Sequence, residues 1–490
     1  MRKLDRRQFD RRQLGLVAVV AAFIVSRVVY RALGVRFSAV PVDFYIQFLD
    51  PELLRHDLVR SLFYMRDQPP GFNGFVGVVL KLFPVHYAQA FGVLYFAGGL
   101  SFGISLYALM TRLGVRAWLA ACVTIAFVAS PIAMLYENWL FYTFPLAVML
   151  CASAVFLHRW LDARRFADAL IFFALLATLV LWRNLFHPIW MLLFVAALLV
   201  VERPHRRQVA LAALGPVLVV CALLVKHVIV FHALFQGRPI QQMNLAALTS
   251  MRLPESERAR LIREHTLVIS DVPITAGPGY FHRYVKSPPK TGIPVLDDEY
   301  KPKSGYPNWN SSIYVPVGEL YGADGRWTLL HRPGVYVDAV RENLARYLLP
   351  SDQSDPFNTR TYKNRLVLQP ILTWWNRIFA WQPAPNRLAV AHVLGFPLLL
   401  VFALVVVVRA WRRDRARAVT VGFALYTTLW VSAATLLLSY GDHNRYRFKV
   451  NAFYCLFLAL ALERALATIV PALRGRRDRG ARPTPDGTRR

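Results

Sequence analysis

Residues 71–84 read GFNGFVGVVLKLFP, and whether this stretch crosses a bilayer sets the side on which every later loop lies. It is apolar, but it runs for only about 14 residues where a spanning helix needs about 20, and it carries Lys81. If it crossed, the loops holding Arg112 and Arg164 would stand outside, against the tendency of Lys and Arg to remain in the cytoplasm. It therefore reads as an interfacial or re-entrant helix on the outer face.

With that stretch outside the count, apolar runs near residues 14–33, 87–110, 116–136, 139–157, 166–182, 188–201, 208–231, 388–409, 418–439 and 450–470 make about ten spans. The basic stretches 2–12, 112–116, 158–165, 203–207, 409–417 and 474–490 then share one side, which the charge rule makes cytoplasmic together with both termini. The expected fold is an all-α integral membrane protein, a polytopic helical bundle in the cytoplasmic (inner) membrane. Its parts are an N-terminal membrane module at 1–231, an extracytoplasmic loop domain at 232–387, a C-terminal membrane module at 388–470, and a basic tail at 471–490 whose Arg/Gly/Pro content reads as disordered.

The composition agrees, with 56% hydrophobic residues and a net charge of +29. The excess charge lies in short loops and the tail rather than in a folded soluble domain, so its expected partner is membrane lipid and not nucleic acid. The first run follows a basic segment but is too long for a signal peptide and reads as an uncleaved anchor. Cys122, Cys151, Cys221 and Cys455 all fall in apolar runs, so no disulfide framework is expected in the outer loops.

Two outer segments are long. In 232–387, punctuated by prolines and glycines, residues 335–349 show helical apolar spacing (Val335, Val337, Val340, Leu344, Leu348) and read as an amphipathic surface helix. In 34–86, Asp43, Asp50, Glu52, Asp57 and Asp67 precede Gln68-Pro69-Pro70-Gly71-Phe72-Asn73. The two prolines fix the backbone and remove two amide donors, so a helix starts there. Asp50-Pro51-Glu52 reads as a helix start, and Asp57 and Asp67 as structural or solvated acids.

Asp43, the Gln68-Pro69-Pro70-Gly71-Phe72-Asn73 motif and Lys81-Leu82-Phe83, in that order, resemble the GT-C superfamily of membrane glycosyltransferases. Within it they are similar to the branch of the protein O-mannosyltransferases and the lipid A aminoarabinose transferases. Weaker likeness continues in Ser130-Pro131, Glu137 to Leu146 (ENWLFYTFPL), Trp182-Arg183-Asn184, and Gly441-Asp442-His443-Asn444-Arg445-Tyr446-Arg447-Phe448. It covers about residues 1–200 and 415–470. The chain departs from the family pattern where Glu137 replaces Asp, Phe-Tyr follows Asp43 in place of a second acid, and Lys449 replaces Pro.

The resemblance implies an inverting transfer of a sugar from a polyprenyl-phosphate donor to a hydroxyl of a glycan, lipid or protein acceptor. Such a reaction needs a carboxylate base and cations for the departing phosphate. Asp43 is the expected base, its plain alternative a cap or a solvated loop acid; Glu137 is the second catalytic carboxylate, an acid between two apolar spans that is costly in hydrocarbon unless it faces the same cavity as Asp43. Arg183, Arg445 and Arg447 are the expected phosphate ligands, because a planar guanidinium can donate two hydrogen bonds to phosphate; the alternative is snorkelling to headgroups. His187, His443, Gln68 and Asn73 complete the candidate binding set, while Lys81 and Lys226 read as snorkelling. A divalent metal stays open: Asp43, Glu137, His187 and His443 would be its ligands, though none stands at ligand spacing. Phe44, Tyr45, Trp139, Trp309, Trp374 and Trp375 read as an interfacial belt. Two rivals also stay open, a transporter or flippase for a lipid-linked sugar and an envelope assembly protein that binds through 232–387.

Overall fold

The computed structural model describes residues 6–234, 236–348, 362–378, 387–441 and 443–480. Among these the secondary structure is helical, with two isolated β-bridges, Ser38 to Trp139 and Tyr300 to Pro307. Seven helices are long and apolar enough to cross a membrane: Asp10–Ala32, Tyr87–Arg112, Thr143–Ala163, Arg203–Phe231, Arg387–Ala410, Arg415–Leu438 and Asn451–Thr468. This is the architecture of a polytopic helical membrane protein.

The expected run 116–136 is two helices, Ala117–Val128 and Pro131–Glu137, bent by 60° at the break; counted as one broken span, it raises the number to eight. Pro131 has no amide donor and its ring would clash with the preceding turn, so the first helix ends there, and the Ser130 hydroxyl caps the second by accepting from the Ala133 amide. The break exposes backbone carbonyls inside the bundle. The first helix supplies their partners, Arg27 Nη1 to the Val128 oxygen at 2.8 Å and the Tyr30 hydroxyl to the Ala129 oxygen at 3.0 Å. The remaining expected spans, Phe166–Trp182 and Pro188–Val201, are apolar but only 17 and 14 residues long, because Arg183 and His187-Pro188 interrupt them.

The decisive stretch is a 12-residue helix, Gly71–Leu82, about 18 Å long and too short to cross. It packs on the end of the 166–182 helix, with Phe72 and Phe75 5.2 and 5.3 Å from the Trp182 ring. Gly71 permits this approach, since a Cβ there would lie 2.8 Å from the Leu181 carbonyl oxygen. Asp50 caps the Pro51–His56 helix as the sequence indicates, its carboxylate accepting from the Glu52 amide.

Within 232–387, the helices Arg238–Leu248 and Tyr314–His331 enclose a core of their own around Met243, Ile269, Phe281, Ile313 and Tyr321. Gly318 lets them touch: its Cβ would stand 2.7 Å from Pro239 Cα. The segment is also tied to the outer loop before the 71–82 helix through Arg66 to the Ser311 carbonyl (2.8 Å), and to the broken span through the Tyr362 hydroxyl to the Leu135 carbonyl (2.8 Å).

The helix Pro333–Leu348 is present, but its inward face differs from the one the apolar spacing indicates. Ala339, Asn343 and Tyr347 are buried while Val337 and Leu344 are exposed, because the polar tips of Asn343 and Tyr347 bond to the Leu436 carbonyl and the Ser432 hydroxyl. Leu349 lies outside the described residues. The final helix, Asn451–Gly480, runs ten residues into the stretch expected to be a disordered tail; residues 481–490 lie outside the described residues. The expected belt is partly core, with Trp139 and Trp309 buried and Trp374 exposed.

Candidate functional site

The interruption after Trp182 sets Arg183 in extended backbone at the end of its helix (φ −155°, ψ 131°) and turns its side chain into the protein. Its Nη1 donates to Gln68 Oε1 at 2.5 Å, its Nη2 to the Tyr446 hydroxyl at 3.4 Å, and its guanidinium stands 4.5 Å over the Tyr142 ring. Arg445, from the short helix His443–Phe448, donates to the Tyr142 hydroxyl at 2.9 Å and lies 5.0 Å over both Phe141 and Tyr446. Lys449 follows on the same chain with its Nζ 4.1 Å over the Tyr446 ring. Three cations thus surround two tyrosines, and all three are buried. Burial opposes ionisation of Tyr446, but the charges of Arg183 and Arg445 outweigh it and bring the hydroxyl down to about 8.

Gln68 is held against Arg183 by a rigid strap. Pro69 and Pro70 follow it, the Asn310 side chain accepts from the Arg66 and Asp67 amides at 3.2 Å each, and Asn184 donates to the Asp67 carbonyl at 2.7 Å. Lys226 helps upstream, donating to the Phe63 and Met65 carbonyls, so it holds backbone rather than reaching only for headgroups. Asp67 is fully buried in this strap. Desolvation pushes its carboxyl up to about 6 against the pull of Arg66, whose Nε is 3.7 Å away.

Beside the cations opens a cavity of about 400 Å3. Gln68, Arg183, His187 and Tyr446 line its charged end, and Leu245, Leu248, Trp430 and Leu438 line an apolar wall. Neither a family model, nor a curated protein, nor a solved structure matches this chain. The chemistry of the site has to be read from its own residues. A charged end that joins an apolar wall suits an amphiphile whose anionic head meets the Arg183 guanidinium, with the charge of Arg445 nearby on the shared tyrosines, and whose tail avoids water.

Of the residues singled out in the sequence, Gln68, Arg183 and His187 line this cavity; Arg445 is not in its lining but shares Tyr142 and Tyr446 with Arg183, and His443 is buried at the head of the helix that carries Arg445. Asp442, beside it in the motif, lies outside the described residues. The others go elsewhere. Glu137 is buried in an ion pair with Arg27 of the first helix, which occupies both carboxylate oxygens. Asn73 is a buried brace rather than a ligand: its oxygen accepts from the Leu49 amide and its nitrogen donates to the Gln47 carbonyl. Arg447 points away from Arg445, onto the Tyr347 carbonyl and 4.6 Å over the Phe396 ring. Asp43 is partly exposed and pairs with Lys303 at 3.3 Å. Among the described residues no three His, Cys, Asp or Glu side chains converge, so Asp43, Glu137, His187 and His443 do not form a metal-ligating group.

Sequence reasoning missed Tyr142, Lys449, Asp67 and Asn310 as parts of this region. Lys449 carried a usable signal, since a charge at the start of an apolar run is costly in hydrocarbon unless protein surrounds it. The role of Asn310 had none, because its partners are more than 240 residues away in sequence.

Proposed function

We propose that this protein is a glycosyltransferase that moves a sugar from a polyprenyl-phosphate donor to an acceptor hydroxyl at the outer face of the cytoplasmic membrane, with GT-C-like architecture and both termini cytoplasmic. The observation that supports it is the pairing of Arg183 and Arg445 around Tyr142 and Tyr446, beside a cavity charged at one end and apolar along the other wall. Asp43 lies outside the cavity lining, two residues before Tyr45, whose ring stands 4.8 Å from the Phe141 ring under Arg445; in this reading it takes the proton of an acceptor hydroxyl that approaches from that side. The acceptor oxygen bonds to the anomeric carbon from the face opposite the phosphate, and the carbon–oxygen bond to phosphate breaks with its electron pair on the departing lipid phosphate. Arg183 and Arg445 neutralise that charge in a site where burial strengthens every electrostatic contact. The ion pair of Asp43 with a partly exposed lysine leaves its carboxylate open to displacement by an acceptor.

A carrier of lipid-linked sugar is the second reading, favoured by the 60° break between Ala117–Val128 and Pro131–Glu137, since discontinuous helices recur in transporters. Proteoliposomes given labelled polyprenyl-phosphate sugar and a hydroxyl acceptor on one side separate the two. The transferase reading expects labelled acceptor, a fall of about a hundredfold for Asp43→Asn, and weakened donor use for Arg183→Ala. Full transfer by Asp43→Asn removes it as the base and turns attention to Asp67; label that crosses the bilayer without joining the acceptor establishes the carrier.

A further inference from the structure

A second and larger cavity, about 870 Å3, opens at the N-terminal end of the first helix, between its opening turns and the Ala117–Val128 helix. Arg11 and Arg12 stand on one side of it and Arg116 on the other. Gly114 lies in the same wall, and Nη1 of Arg417 is 3.6 Å from the point its Cβ would occupy, so a fourth guanidinium borders the mouth.

These four charges are not equally engaged. Arg116 is neutralised by Glu463, which takes its Nε at 2.9 Å and its backbone amide at 2.9 Å. Among the described residues the Arg12 guanidinium reaches a neutral acceptor, the Thr111 carbonyl at 3.3 Å. The guanidiniums of Arg11 and Arg417 have no acidic partner among the described residues, and the Arg417 Nε is buried without a hydrogen bond. For Arg417, whose Nε is out of water without an acceptor, an anion relieves a standing cost, and exposed Arg11 adds positive charge at the mouth.

Beyond the rim the wall turns apolar, through Leu14, Ala18, Trp118, Ala121 and Ile125. Leu14 and Trp118 are 69% and 55% exposed, on a helix apolar enough to span a membrane and on its neighbour. A soluble anion would leave this groove empty, and a zwitterionic headgroup would bring its ammonium against the arginines. We infer that the cleft binds an anionic phospholipid of the surrounding bilayer, its phosphate between Arg11, Arg12 and Arg417 and an acyl chain along Leu14, Trp118 and Ile125. Basic side chains at the membrane surface favour anionic lipid, and the groove adds apolar burial that a flat basic surface lacks.

Cys122 lines the cleft and is exposed, which makes it a reporter. The test uses the full chain in neutral detergent, with phosphatidylglycerol or phosphatidylcholine of identical chains, reading lipid retention by native mass spectrometry and the alkylation rate of Cys122. Retention of phosphatidylglycerol should exceed that of phosphatidylcholine by about tenfold or more, from two or more basic residues at the headgroup. Phosphatidylglycerol should slow Cys122 alkylation, and inorganic phosphate should not. The Arg11→Gln/Arg12→Gln variant should lose the preference. Cys122→Trp, which fills the groove with the arginines intact, should lose retention and carries the test if the double variant does not fold. Equal retention of the two lipids, undiminished preference in the double variant, or protection of Cys122 by phosphate alone overturns the inference.

Discussion

Arg27 donates its Nε to Glu137 Oε1 at 3.1 Å and its terminal nitrogen to Oε2, a two-pronged ion pair between residues 110 apart in the chain. The pair is buried and stands against the Phe23 ring, 3.7 Å from the guanidinium, next to the carbonyls freed by the break at Ser130. It locks the first helix to the broken one.

Removing one partner leaves a buried charge with nothing opposite it. Glu137→Ala should therefore cost about 3–5 kcal/mol, read as a lowered unfolding midpoint in detergent, and Arg27→Met with Glu137→Leu should recover much of it. If Glu137→Gln retained the wild-type midpoint while sugar transfer collapsed, Glu137 would return to the chemistry.

Arg445 and Arg447 are two residues apart yet face different partners, so their variants should differ in kind. Arg445→Gln should weaken binding of a polyprenyl-phosphate donor by about 1.5–3 kcal/mol, the loss of one charge-assisted hydrogen bond, with stability less affected. Arg447→Gln should lower stability through the lost Tyr347 and Phe396 contacts and leave donor affinity near wild type. Titration of donor against each purified variant, alongside thermal unfolding, tests the split; equal donor losses would contradict it.

Tyr446 should titrate far below an ordinary tyrosine. Its hydroxyl ionises at about 8 in the folded protein and near 10 when unfolded, so its stabilising contribution is complete above the unfolded value and is lost as pH falls through 8. Ultraviolet difference spectra should show one tyrosinate forming near pH 8. Tyr446→Phe should abolish that step and Arg183→Gln should move it upward. A spectrum without any tyrosinate below pH 9 would show that the cations do not act on this ring.

Asp324 organises the segment at 267–270. Its carboxylate accepts from the Val268, Ile269 and Ser270 amides at 2.9–3.1 Å and from the Ser270 hydroxyl at 2.7 Å. Asp324→Ala strands these donors and should destabilise that segment by about 3 kcal/mol or more. Limited proteolysis should then cut near residues 264–276 first; an unchanged cleavage pattern would deny the clamp.

The helical class, the places where the long apolar runs lie, the short 71–82 helix and the Asp50 cap follow from sequence, because each rests on local chemistry: run length, proline's missing donor and a capping carboxylate. The approach of Arg183 and Arg445, 262 residues apart, does not, and neither do Glu137's partner, the inward turn of Asn343 and Tyr347, or the grip of Asn310 on the strap before Gln68. An isolated acid or arginine at the end of an apolar run has the same local signature whether it meets substrate, lipid or an opposite charge. Burial makes an unmatched charge expensive, and only the packing of distant helices determines which charge or carbonyl lies within reach.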